Sequence, residues 1–144
     1  MLYSSKSDII IRSFYEVYNK LGYGFLESVY KNALFLELTS NGLKCEKEKE
    51  IHVYYKECIV GEYYADIVVD DSIILELKTI EALGPIQEAQ LINYLKGTGI
   101  ELGFLLNFGP KAEFRRKVMT HKFNRSKAYI NDGDDIDYGD PKKE

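Results

Sequence analysis

The chain of 144 residues contains no tryptophan, two cysteines, two histidines and three prolines. Cys45 and Cys58 stand without a CxxC or a Cys/His pairing around them. That leaves neither a disulfide framework nor a zinc site, and both are expected as reduced thiols near strands. His52 and His121 are isolated in the sequence, and a lone histidine is more often structural than a ligand. No apolar run approaches the roughly 18–20 residues of a membrane helix. The opening MLYSSKSDII lacks the charged-then-apolar order of a signal peptide. A soluble, cytoplasmic protein with no membrane association is therefore expected.

What is present is globular in character: 45% hydrophobic and 29% charged residues, in a length suited to one domain with a sizeable core. No internal repeat interrupts residues 1–130, which are expected to form that domain, and residues 131–144 an acidic, disordered tail. The tail carries six acids against two lysines, which accounts for the whole net charge of −4. Residues 111–127 gather Lys111, Arg115, Arg116, Lys117, Lys122, Arg125 and Lys127 against Glu113 alone. Such a block meets phosphates or presents an ordinary solvated face, and the sequence leaves both open.

Helical periodicity marks DIIIRSFYEVYNKLG, with Ser7 expected as its N-cap and Gly22 at its end. A second helix is expected in GFLESVYKNALFLELTSNG, with Leu26, Val29, Ala33 and Leu36 as one apolar line and Leu34 and Leu38 as another. Strand patterns follow in IHVYY and CIVGEYYADIVV, separated by a turn at Lys56–Glu57, and again over 73–79. PIQEAQLINYLKGTG suits a helix started by Pro85, IELGFLLNFG a buried strand, and EFRRKVMTHKF a final strand or short helix.

Three charged residues sit in the middle of this apolar sheet sequence, within EYYADIVVDDSIILELKT at 62–79. Strand alternation puts Ile74, Glu76 and Lys78 on one face. A three-residue loop at 70–72 would set Val69 against Ile73 and so Asp66 against Glu76. Two carboxylates at that spacing repel, and one lysine does not offset them where water is restricted. A hard divalent cation does, and Mg²⁺ is suited to one or two carboxylates plus a phosphate. Lys78 beside it would orient a water or stabilise phosphate charge. The alternative is a solvated sheet face carrying a Glu/Lys pair.

Asp66 followed by Glu76-Leu77-Lys78 resembles the D…E-x-K signature of the PD-(D/E)xK nucleases, with Ala65 where that pattern has proline. GFLESVY at 24–30 matches G-x-x-E-x-x-Y, and EAQLINYLKGTG at 88–99 carries Gln90 and Tyr94 as the Q-x-x-x-Y pair of RecB-type exonuclease domains. Together they resemble the GxxExxY proteins, small prokaryotic members of that superfamily, from about residue 8 to about residue 120. The resemblance implies an α/β, restriction-endonuclease-like core of order α-β-β-β-α-β, a mixed central sheet flanked by helices, and one extra N-terminal helix. It implies a Mg²⁺- or Mn²⁺-dependent nuclease leaving 5′-phosphate and 3′-hydroxyl ends, with nucleic acid, expected to be DNA, as its partner. Glu27, Asp66, Glu76 and the Leu77 carbonyl would hold the ion. Lys78, Glu76, Asp66, Gln90 and Tyr94 would serve the reaction. Gln87 stands where many relatives carry histidine. The alternatives are a non-cleaving DNA- or partner-binding module on the same fold and an RNA nuclease; a homodimer or a protein partner is left open.

Overall fold

Alternating β-branched and aromatic residues between positions 45 and 78 build a meander, and a helical crossover then returns the chain alongside it. The computed structural model describes residues 3–120. The order is α1 (Tyr3–Leu21), α2 (Glu27–Ser40), β1 (Cys45–Tyr55), β2 (Cys58–Val69), β3 (Ile73–Lys78), α3 (Pro85–Thr98), β4 (Leu102–Phe108) and β5 (Ala112–Val118). The five strands lie in the order β1-β2-β3-β4-β5. The β3–β4 pair, joined through α3, is parallel, and the other three pairs are antiparallel. This is the expected mixed sheet flanked by helices, with β5 added at its edge. Every residue of β4 is buried, as a strand covered on both faces requires.

Two apolar layers enclose the sheet. On one side Ile10, Phe14 and Val17 of α1 and Tyr30, Leu34 and Leu38 of α2 meet Ile67, Leu75, Leu77, Phe104 and Phe108. On the other, Leu91 and Leu95 of α3 meet Ala65, Val68, Ile74 and Leu105. The α3 helix starts at Pro85, its preceding turn closed by the Gly84 N–H donating to Gln87 Oε1 at 2.9 Å. It ends at Gly99, which takes φ +82°.

Several local expectations are corrected. Ser7 does not cap α1, which already runs from Tyr3, because nothing in Tyr3–Lys6 breaks a helix; Ser7 is buried one turn inside it. In α2 the buried line is Tyr30, Leu34 and Leu38, while Leu26 and Leu36 are 76% and 67% exposed. The deciding factor is Tyr30, whose large ring needs the core. The first strand is longer than IHVYY because Glu46, Lys47 and Lys49 pair with β2 through their backbones. The open alternative at EFRRKVMTHKF resolves to a strand over Ala112–Val118. The acidic tail, His121, Lys122, Arg125 and Lys127 lie outside the described residues.

Candidate active site

The β1–β2 ladder shifts register between Val53 and Tyr54, and nearer the site it skips the pair of Glu48 and Asp66. Its register runs from Cys45↔Val69 to Lys47↔Ile67 and resumes at Lys49↔Ala65, skipping Glu48 and Asp66. Glu48 adopts φ +53° there, a left-handed backbone that locally turns a strand. Ile67 and Ala65 have the same parity, yet Ile67 packs under α1 and α2 and Ala65 under α3. The β2–β3 ladder keeps the three-residue loop's register, Val69↔Ile73 to Ile67↔Leu75. One step beyond it, Asp66 Oδ2 accepts the Leu77 N–H at 2.8 Å. Asp66 Oδ1 lies 3.2 Å from Lys31 Nζ.

Glu27 is placed by a second device. Gly22 and Gly24 take φ +69° and +115°, positions where a side chain would be strained. The hydroxyl of fully buried Tyr30 donates to the Gly22 carbonyl at 2.5 Å and accepts the Phe25 N–H at 3.2 Å. Its ring stacks on Phe108 at 4.5 Å. Leu26, the N-cap residue of α2, offers no side-chain hydrogen bond, so these contacts hold the turn. The G-x-x-E-x-x-Y spacing is thereby explained: the glycine makes the bend, the tyrosine clamps it, and the glutamate opens the helix, where a carboxylate suits the dipole.

Electrostatics tie the pieces together. Burial, then the nearby Asp66 charge, pushes the Glu76 carboxyl up to about 8, with Glu27 adding and Lys78 opposing. Burial, then Asp66, raises Glu27, which Lys78 and Lys31 pull back. Glu76 Oε2 is buried with no hydrogen-bond partner among the described residues. The half-buried Lys78 makes no ion pair within 4.0 Å among them, so its charge acts on Glu27 and Glu76 at longer range.

The structure thus brings Glu27, Asp66, Glu76, Leu77 and Lys78 into one neighbourhood, Leu77 through its backbone N–H. The oxygens of Glu27, Asp66 and Glu76 do not, however, all fall within 4.8 Å of one another, and Lys31 sits against Asp66. Tyr94 reaches the site's edge: its phenol is raised by burial and then by Glu76, and its ring stacks on Tyr63 at 3.7 Å. Gln90 is exposed on α3 with no hydrogen bond among the described residues. Gln87 is spent on the turn before α3, its Oε1 accepting the Gly84 N–H.

Two site residues escaped sequence reasoning. Lys31, four residues after Glu27, looks like its helical partner but instead bridges Asp66 and Glu48, at 3.2 and 3.1 Å. The signal was its place directly after Tyr30 on the face that meets the sheet. Tyr63 has a buried hydroxyl without a hydrogen-bond partner among the described residues, and burial, then Glu76, raises its pKa; its strand position carried no signal.

Two further readings change. Arg115 pairs with Glu88 at 3.0 Å and Glu113 at 3.6 Å, and buried Lys117 with Glu88 at 2.8 Å, so these cations of the basic block already have carboxylate partners. His52 is not isolated: Glu62 is its cross-strand partner and Glu50 shares its face, with ligand atoms within 4.8 Å of one another.

Residues 4–117 match the family model described as the PD-(D/E)XK nuclease superfamily. A solved structure described as "Crystal structure of SSO0001" is similar with a TM-score of 0.48 and 21% sequence identity, over 71% of this chain and 53% of that one. The chain therefore spans about half the length of that protein. No curated protein matches the chain.

Proposed function

Because this chain belongs to the PD-(D/E)XK nuclease superfamily, we propose that it is a divalent-metal-dependent nuclease that cuts DNA, leaving 5′-phosphate and 3′-hydroxyl ends. We place it among the GxxExxY proteins on the Gly24, Glu27 and Tyr30 device. The observation that carries the reading is Glu76: a carboxylate whose buried Oε2 has no hydrogen-bond partner among the described residues, with the charges of Asp66 and Glu27 nearby. Burial and like charge hold its proton on, and a hard cation relieves that burden. The donor set therefore fits Mg²⁺, with Mn²⁺ as a substitute.

Glu27, Asp66 and Glu76, with the Leu77 carbonyl, would hold the ion. When bound, it supplies positive charge against the phosphate oxygens and an acidified water. Lys78 sets its ammonium beside the phosphate and stabilises the negative charge that builds during displacement. Lys31 orients Asp66 through their ion pair at 3.2 Å. Tyr94, held by its stack on Tyr63, steadies the Glu76 side of the site, and exposed Gln90 is available to a phosphate of the substrate.

A non-cleaving DNA-binding module is favoured by one observation, that Lys31 and the Leu77 N–H together engage both Asp66 oxygens. Incubation of supercoiled plasmid, single-stranded DNA and RNA with Mg²⁺, Mn²⁺ or EDTA separates the two. The nuclease reading requires DNA cleavage that needs the metal and is lost in Asp66→Asn and Glu76→Gln. Binding without cleavage in every metal supports the module, and cutting of RNA alone overturns the choice of DNA.

A further inference from the structure

A cavity of about 270 Å³ is lined in part by Tyr23, Phe25, Thr79, Glu81 and Phe108. Its walls continue the site along the chain: Thr79 directly follows Lys78, and Phe25 precedes Glu27 by two residues. Tyr23 and Phe25 are 61% and 48% exposed, on a turn otherwise built to be rigid. Phe25 stands edge-on to Tyr30 at 6.0 Å, and Tyr30 stacks on Phe108.

The opposite wall is equally fixed. The buried Asn107 side chain grips Ile80 from both ends, its Nδ2 donating to the Ile80 carbonyl at 2.9 Å and its Oδ1 accepting the Ile80 N–H at 3.0 Å. Gly109 lies so close that an added Cβ would stand 2.0 Å from the Ile80 carbonyl oxygen. Tyr18 donates its hydroxyl to the Gly109 carbonyl at 2.8 Å. A rigid cleft with exposed aromatic rings is prepared for a flat apolar partner rather than filled by its own side chains.

Charge identifies that partner. Among the described residues lining the cavity there is no lysine or arginine, and Glu81 is an acid, so a phosphate is repelled here. On the nuclease reading, Lys78, directly before Thr79, is the cation set against phosphate. A ligand with an anionic link at Lys78 and a neutral planar ring a short step away is a nucleotide within a strand.

Resting on the nuclease reading, we propose that this cavity takes the base next to the phosphate at Lys78, stacked against Tyr23 and Phe25, and that the preferred substrate is therefore single-stranded or locally unpaired DNA. In a duplex the base is paired and stacked and does not enter; aromatic platforms beside a phosphate track are how unpaired strands are held.

The test is the affinity, with Mg²⁺ present in an Asp66→Asn background, for an oligodeoxyadenylate, the same strand with abasic residues, and its duplex. Stacking of one base is worth roughly five- to a hundredfold in affinity. The proposal expects Tyr23→Ala to weaken single-strand binding by about that factor, and Phe25→Leu to do so too, with duplex binding unmoved. Abasic residues should weaken the parent by a similar factor and add nothing to the loss in Tyr23→Ala. Tyr23 is exposed, so its variant should keep the parental melting temperature; the abasic strand needs no variant at all. Equal affinity for base-bearing and abasic strands, or duplex bound as tightly as single strand, overturns the proposal. DNA cut by the parent with these rings neutral would sink the base pocket but leave the nuclease; ring-dependent strand binding without any cleavage would do the reverse.

Discussion

Replacing Glu76 by glutamine should remove a destabilisation that grows as pH rises across neutrality. Without metal, burial and the charges of Asp66 and Glu27 raise this carboxyl to about 8 from an ordinary 4.5. A raised acid means the folded state binds its proton more tightly than the unfolded state does. The associated stability is fully present below pH 4.5 and is lost as pH rises towards 8, levelling off above it. The span corresponds to at most about 4–5 kcal/mol at 1.4 kcal/mol per pH unit, and relaxation with water entry reduces that to a few. Glutamine resembles the protonated form, so Glu76→Gln should match the parent near pH 4.5 and exceed it by about 2–4 kcal/mol at pH 8 in EDTA. Urea unfolding at several pH values measures this directly. Mg²⁺ should restore the parent at pH 8 by mass action and do little for the variant. Parallel pH profiles for the two proteins, or a variant less stable at pH 8, would refute the reasoning.

Three smaller predictions concern the supports of the site. Tyr30→Phe removes both hydrogen bonds that clamp the Gly22–Phe25 turn while keeping the ring in the core; unfolding should show a loss of about 1–2 kcal/mol, and calorimetry a weaker Mg²⁺ affinity through Glu27. Gly109→Ala places a Cβ 2.0 Å from the Ile80 carbonyl oxygen, which backbone must move to accommodate, so a loss on the order of 3 kcal/mol is expected in thermal unfolding. Lys31→Met removes the cation on Asp66 and Glu48; calorimetric titration should find Mg²⁺ bound more tightly, and unchanged affinity would mean that Lys31 does not compete with the ion.

Most of the fold was legible because alternation and helical periodicity are local properties. The hairpin register could be read from the loop length at 70–72, since a three-residue turn leaves little choice once Val69 and Ile73 must both be buried. What escaped were features that depend on how elements meet. Nothing in KEKE at 47–50 announces that Glu48 takes a left-handed backbone, yet that residue breaks the ladder opposite Asp66. Lys31 resembles any helical lysine until α2 is laid against the sheet. His52 looked solitary because Glu62 lies ten residues away in sequence and directly across the ribbon in space. Arg115 and Lys117 read as a basic patch because their partner Glu88 belongs to another element.

Lys78 offers the most direct test of a metal-dependent nuclease built on this site. It is the one cation of the site without an ion-pair partner among the described residues, and its ammonium is compact where a guanidinium is a broad fork that never deprotonates. The decisive measurement is the DNA cleavage rate in Mg²⁺ of the parent, Lys78→Arg and Lys78→Ala, with melting temperatures taken alongside. The expected result is a loss on the order of 10²–10⁴ in rate for both variants, at melting temperatures close to the parent's. Parental cleavage rates in both variants would contradict the account and leave Glu76 and Lys78 as an ordinary charged face of the sheet.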